Sequence, residues 1–426
     1  MNDRRAFYAD SRRDLLLELY ASACAAVDGR RAVRAALAGR TAAPLALISV
    51  GKAAAAMALG VQDICGHDVV SGLVVSRRGH LDAELSAWPQ LRCLEGDHPV
   101  PGPASLAAGE ELVKFAAALA PGASVLVLVS GGASSLVEAL APGISPAELA
   151  RVNEWGLAGG LAIGELNAIR RRLSRLKGGR LAAALAHTSA EALLISDVAQ
   201  DDPAVIGSGL VAAAAAAPLP QDLPPWLIEL LGRAGDLPAG RTLPSRIVAS
   251  LGEALAAATR AADARGLSTR QLQPSAAGDA QVAARRFAHE LAITTEDALI
   301  WGGETTVRLP ARAGRGGRNQ HFALEVARLI AGHADLVVLA AGTDGSDGNT
   351  GDAGAIVDGG TVARGAADGL ESEQALAAAD AGSFLEASGD LLCTGPTGTN
   401  VGDLVFGLRR APDPATAPAA NPDPAG

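Results

Sequence analysis

Lysine is nearly missing from this 426-residue chain: it occurs only at Lys52, Lys114 and Lys177, so arginine supplies almost all of the 36 basic side chains. Acidic residues number 46 and the formal net charge is −10, which excludes a surface built for nucleic acid or an anionic membrane. An anionic ligand must then meet a local basic cluster. Cysteine is scarce as well. Cys24, Cys65, Cys93 and Cys393 lie far apart with no C-x-x-C spacing, which removes a disulfide framework and a zinc site and fits a reducing cytoplasm. The opening MNDRRAFYADSRRD alternates charges and lacks the apolar centre of a secretory signal, so no targeting segment is expected in it. Two uncharged stretches, 115–137 and 203–221, reach the length of a membrane span. Pro121, Gly122, Gly131, Gly132 and, in the second stretch, Pro203, Gly207, Gly209 and Pro218 interrupt them and would leave backbone groups unsatisfied in lipid, so no membrane partner is expected.

What remains is a globular composition, 49% apolar and 19% charged, long enough for two domains. Short Val/Ile/Leu runs, LALISV (45–50), GLVVS (72–76), VLVLV (125–129) and LLIS (193–196), each end in a Gly/Ser/Asp cluster before an Ala/Leu-rich helical stretch. That alternation is the mark of buried parallel strands in an α/β fold, whose ligands gather beyond the carboxyl ends of the strands. The proline-rich 218–226 and 236–240 read as a linker, with a boundary near 240. Beyond it, strand candidates at 297–309, 335–342, 354–359, 390–395 and 403–408 have fewer long helices between them, as in a mixed sheet. The expected architecture is α/β with two domains: a Rossmann-like parallel-sheet domain over 1–240, a smaller mixed-sheet α/β domain over 241–410, and a disordered tail over 411–426.

The chemistry-bearing segments follow the strands. SVGKAAAAMA (49–58) sets Lys52 at the opening of a helix, where N–H groups and the helix dipole welcome phosphate; it is not a Walker A loop, since Ala46 and Ala53 stand where glycine and Ser/Thr are required. In VLVLVSGGASSLVEAL (125–140), Ser130, Gly131, Gly132, Ser134 and Ser135 form a loop able to wrap phosphate oxygens. Six cationic residues fall between Arg170 and Arg180, and Gly178-Gly179 would let Lys177 approach a ligand. A second cluster holds Arg318, whose planar fork suits a small acid. Asp197 in LLISDVAQDDP and Asp344 and Asp347 in GTDGSDGNTGDAG are carboxylates at strand ends, suited to Mg²⁺ held against substrate phosphates. Asp97 and His98 precede a rigid Pro-x-Pro segment, and a lone histidine there reads first as a hydrogen-bonded loop residue.

Taken in order, SVGKAAAAMA, GDHPVPGPAS, LVSGGASSL, NAIRRRLSRLKGGRLA, LISDVAQDDPAVIGSG, GGETTVRL, GRGGRNQ and GTDGSDGNTGDAGA resemble the glycerate 2-kinase family with a C-terminal MOFRL-type domain, over about residues 10–410. Some bacterial relatives of that family carry the name hydroxypyruvate reductase. The resemblance implies transfer of the γ-phosphoryl group of ATP, with Mg²⁺, to the 2-hydroxyl of D-glycerate in a cleft between the two domains. It implies that Lys52 and Arg318 face each other across that cleft as catalytic residues; Asp197 is expected to join them by holding Mg²⁺, and Asp197 or Asp347 to orient or deprotonate the 2-hydroxyl. The small-molecule substrate is D-glycerate, and the protein is expected as a cytoplasmic monomer or homodimer. Two other readings compete: a nicotinamide-dependent hydroxypyruvate reductase, which lacks a convincing glycine fingerprint here, and a non-catalytic protein that binds a small acid.

Overall fold

The computed structural model describes residues 11–158, 161, 163–213, 219–220 and 222–409. The tail expected over 411–426 lies outside them. The chain divides into two compact units, one made of Val27–Ser250 with Gly398–Val401, the other of the N-terminal segment to Ala26 with Leu251–Thr397 and the chain from Gly402.

The N-terminal unit is built on a six-stranded sheet. Its strands are β1 (Leu45–Val50), β2 (Val69–Arg77), β3 (Leu91–Gly96), β4 (Ser124–Val129), β5 (Ser189–Ile195) and β6 (Ser245–Ala249), in the order β3-β2-β1-β4-β5-β6, and every pairing is parallel. β1 and β4 are buried nearly from end to end because helices cover both sheet faces, which is why they read as unbroken apolar runs. The strand order reverses between β1 and β4, and an open sheet of this kind leaves a crevice at that point, beyond the carboxyl ends of the strands. Ile48, Val50, Val127, Val129, Leu176 and Leu194 belong to the core packed against this sheet.

The second unit holds a mixed sheet. Its strands are β7 (Thr269–Gln271), β8 (Ala276–Asp279), β9 (Ala298–Thr306), β10 (Val337–Gly342), β11 (Gly354–Asp358), β12 (Leu391–Leu392) and β13 (Asp403–Leu408), running β12-β11-β10-β13-β9-β7 with β8 also paired to β9. β7 and β8 run parallel to β9 and the other pairs are antiparallel. Phe287, Trp301 and Phe322 pack together at its centre.

The α/β class and the two kinds of sheet agree with the sequence reading, whereas the division at 240 differs. β6 adds to the parallel sheet after that point, and the crossing comes between Ser250 and Leu251. Between the two proline-rich pieces read as a linker, Pro225–Ala234 is a helix that buries Leu227, Leu230 and Ala234 against Val152, Ile169 and Leu173. At the other end, the helix Ser11–Ala26 belongs to the second unit: Tyr20 Oη donates to Gly342 O at 2.7 Å and Arg13 pairs with Asp358 and Asp390.

Candidate active site

At the end of β1 the chain turns through Gly51, Lys52 and Ala53 into the helix Ala54–Cys65, and at the end of β4 it turns through Ser130, Gly131 and Gly132. The two turns are stitched together. Lys52 N donates to Gly131 O at 2.9 Å, Ser130 N to Val50 O at 3.0 Å, and Ala53 N to Ser130 Oγ at 3.0 Å. Ser130 is fully buried and serves as the missing cap of the Lys52 helix, whose own cap residue, Ala53, has no side-chain acceptor. Gly132 takes φ +80°, and a Cβ on it would sit 3.1 Å from Lys52 Cγ and 3.3 Å from His98 Cδ2. A Cβ on Gly131 would overlap Asn400 Nδ2 and Asp197 Oδ2. Lys52, His98, Asp197 and Asn400 therefore surround one pair of glycines at the switch point of the sheet.

Each was brought by a different part of the chain. Lys52 follows β1, His98 follows β3, Asp197 follows β5, and Asn400 comes from the short Gly398–Val401 segment that rejoins this unit, tied down by Gly29 N donating to Gly398 O at 3.0 Å. The neighbouring Asp97 is structural: its Oδ2 accepts from Ala104 N at 2.8 Å and Ser105 N at 3.3 Å, capping the helix Pro103–Ala118. Asn400 was not anticipated from the sequence. The run Thr394–Asn400, dense in Gly, Pro and Thr between two strands, was the available signal of a loop shaped for a purpose.

Several expected residues do other work. Lys177 does not reach a ligand: its side chain is 1% exposed, and its ammonium pairs with the equally buried Glu138. The acid 39 residues upstream is invisible to a local reading of charge. Ser134 Oγ hydrogen-bonds Ser208 Oγ at 2.7 Å and Ser135 Oγ donates to Gly132 O at 3.0 Å, so the three serine hydroxyls brace the loop, which leaves its cradle to backbone and glycine. Two other arginines of that run, Arg175 and Arg180, are also engaged, as is Arg233 beyond it. Arg175, Arg180 and Arg233 line a separate concavity of about 610 Å³, but Arg180 donates to the carbonyls of Arg171, Ser174, Lys177 and Pro238, and Arg175 and Arg233 pair with Glu110 and Glu148.

The second unit places Arg318, Asp344 and Asp347 near one another. Arg318 starts the helix Arg318–Leu329 and holds Asp403 with two donors, Nε to Oδ2 at 2.6 Å and Nη2 to Oδ1 at 3.1 Å, while Nη1 meets Glu304 at 2.6 Å. Burial opposes its charge, yet Asp403 and Glu304 hold its pKa above the usual arginine value. Asp347 caps the same helix, accepting from Asn319 N at 3.1 Å and Gln320 N at 2.8 Å. Burial pushes its carboxyl up to about 7. Asp344 accepts from Ser346 N at 2.9 Å and Ser346 Oγ at 3.1 Å. These bonds give Asp347, expected as a Mg²⁺ ligand, a helix-capping role with both oxygens engaged, and hold Asp344 Oδ1 in a turn. Among the described residues no three or more His, Cys, Asp or Glu side chains converge on a metal position.

A parallel six-stranded sheet with a lysine and a double-glycine turn at its switch point defines a Rossmann-like α/β protein equipped for phosphate groups. Comparison with known proteins sharpens that class. Residues 15–218 match a domain of unknown function, DUF4147, and residues 297–403 match the MOFRL family. A D-glycerate 2-kinase of Thermotoga maritima is 32% identical over 432 residues, covering 94% of this chain and 99% of its own. A protein of Agrobacterium vitis that carries a hydroxypyruvate reductase name is 36% identical over 418 residues, 92% of this chain and 94% of its own. The crystal structure of the Thermotoga maritima glycerate kinase superposes with a TM-score of 0.78 at 32% identity, over 94% of this chain and all of that one. The chain belongs to the glycerate 2-kinase family of enzymes. No helix among the described residues is long and apolar enough to cross a membrane.

Proposed function

We propose that this enzyme transfers the γ-phosphoryl group of ATP to the 2-hydroxyl of D-glycerate, giving 2-phosphoglycerate and ADP. The observation that carries the reading is the convergence of Lys52 and Asp197 on the Gly131–Gly132 turn, where side-chain volume is excluded on both glycines. Phosphoryl transfer asks a protein chiefly for positioning and for positive charge near the moving group. The bare backbone of the turn lets phosphate oxygens approach, and the Lys52 ammonium balances the charge that builds on them. Asp197 accepts the proton of the attacking hydroxyl as the new O–P bond forms and the bond to the β-phosphate breaks. Asp347, by contrast, has its oxygens committed to helix N–H groups.

Mg²⁺ bound to ATP would neutralise phosphate charge, and Asp197 is the carboxylate at the turn that would hold it. Arg318 is proposed to grip the substrate carboxylate, as the family resemblance implies. Its Nη1 edge is the exchangeable one, since Glu304 is 52% exposed whereas Asp403 is 7% exposed. Hydroxypyruvate reduction is the competing activity, because some relatives carry that name. The β1 turn reads Gly51-Lys52-Ala53 and β2 ends in Ser76-Arg77, without the glycine fingerprint or the acid that a nicotinamide ribose needs.

One assay separates them. Protein with ATP, Mg²⁺ and D-glycerate should release ADP and 2-phosphoglycerate, and hydroxypyruvate with NADH or NADPH should be inert. Nicotinamide oxidation without ADP would reverse the assignment.

A further inference from the structure

Asn400 is 7% exposed, and its side-chain amide makes no hydrogen bond to any described residue. An amide at the tip of a largely buried residue, bonded to no described protein group, is available to a ligand. Its Nδ2 also has a defined direction. It lies closest to the point that a Cβ on Gly131 would occupy, and Asp197 Oδ2 crowds the same point from another side. The carboxylate makes the nitrogen, and not the amide oxygen, the end that faces this space. A donor and an acceptor thus lie against the same side of Gly131, where no side chain fits.

That pairing selects a chemical group. A phosphate oxygen accepts but does not donate, and the neighbouring carboxylate repels it. An ammonium donates but cannot accept. An alcohol hydroxyl does both: its O–H donates to Asp197 Oδ2 while its oxygen accepts from Asn400 Nδ2. We infer that Asn400, together with Asp197 over Gly131, forms the subsite for the 2-hydroxyl of the acceptor alcohol, an inference that rests on the kinase reading for the identity of that alcohol. With its proton on the way to Asp197, the oxygen keeps a lone pair aimed at phosphorus while Asn400 holds it in line. The residue lies in a segment of four, Gly398–Val401, that leaves its sequence neighbours to join the N-terminal unit. Its backbone is fixed there by the Gly398 carbonyl, and Gly398 itself takes φ +78° beside Asp28.

The test is calorimetric binding of D-glycerate and of 3-hydroxypropanoate, which lacks the 2-hydroxyl, to the full-length protein and to Asn400→Ala. The wild type should bind D-glycerate on the order of 10-fold or more tightly than 3-hydroxypropanoate, as a site built to hydrogen-bond a hydroxyl does. Asn400→Ala should bind the two acids within about two-fold of each other while its thermal midpoint stays near that of the wild type. Gly131→Ala, whose Cβ would overlap both Asn400 Nδ2 and Asp197 Oδ2 and push them apart, should lose the same preference. A wild type that does not discriminate, or an Asn400→Ala protein that still does, overturns the subsite. ADP formation is read separately: Asn400-dependent discrimination without ADP release removes the kinase reading and leaves the hydroxyl subsite standing.

Discussion

Two of the three lysines show how one residue type serves opposite ends. Lys52 lies on a strand-to-helix turn beside Gly132, where a compact ammonium on a mobile stem can follow a moving phosphoryl group. Lys52→Ala should lower kcat on the order of 100- to 1000-fold in the ADP-release assay with unchanged circular dichroism, as removal of a positioned charge donor does elsewhere. Lys177 is instead sealed against Glu138, both side chains 1% exposed, and Glu138 Oε1 has no other partner. Lys177→Met should destabilise the protein by about 3–5 kcal/mol in urea unfolding, because it strands a buried carboxylate. Adding Glu138→Leu should recover most of that loss, whereas a ligand-binding lysine would show no such rescue. The Gly178-Gly179 pair that drew attention to Lys177 has another explanation in the packing: Gly179 holds φ +80° and its N–H donates to Gly209 O at 2.6 Å.

At the scale of elements, the strand-end loops decide what the side chains do. The helix Arg318–Leu329 begins on Asp347, whose carboxyl is buried and titrates at about 7, against about 3.9 in an unfolded chain. Between those values the folded protein keeps a proton that the unfolded chain has released, so stability from this group falls as pH rises from about 4 to 7. Comparing the thermal midpoints of wild type and Asp347→Asn across that range should show the wild type losing ground toward pH 7; a pH-independent difference would remove the shifted carboxyl. The strands themselves were legible where burial is complete. LALISV coincides with β1, and the runs at 72–76 and 125–129 lie inside β2 and β4. β6 was not, since SRIVA is an edge strand paired only to β5 and carries two exposed residues in five. β7 and β8 are too short for an alternation to register.

For the whole molecule, chain order and domain membership part company. Residues 11–26 fold with the second unit and 398–401 with the first. A fragment cut at 240, where prolines and glycines draw the eye, would strip β6 from β5 and expose an unpaired edge. A fragment ending at 250 keeps all six strands. We expect the first to aggregate on size-exclusion chromatography and the second to elute as a folded species with more α/β signal in circular dichroism. Equal behaviour of the two would mean that β6 contributes nothing to the sheet's integrity.

The sequence by itself determined the α/β class, the two kinds of sheet and the loops that carry the chemistry, because buried parallel strands and the turns after them leave local signatures in apolar runs and glycines. It also singled out Lys52, Gly131, Gly132 and Asp197, each next to such a run. Tertiary structure alone decided which of these meet and what the others do. Glu138 neutralises Lys177 from 39 residues away, Asp403 takes two donors of Arg318 from 85 residues away, and Asn400 reaches Gly131 from the far end of the chain. Pairings over such separations are set by the order and register of strands, and no local pattern of residues encodes them.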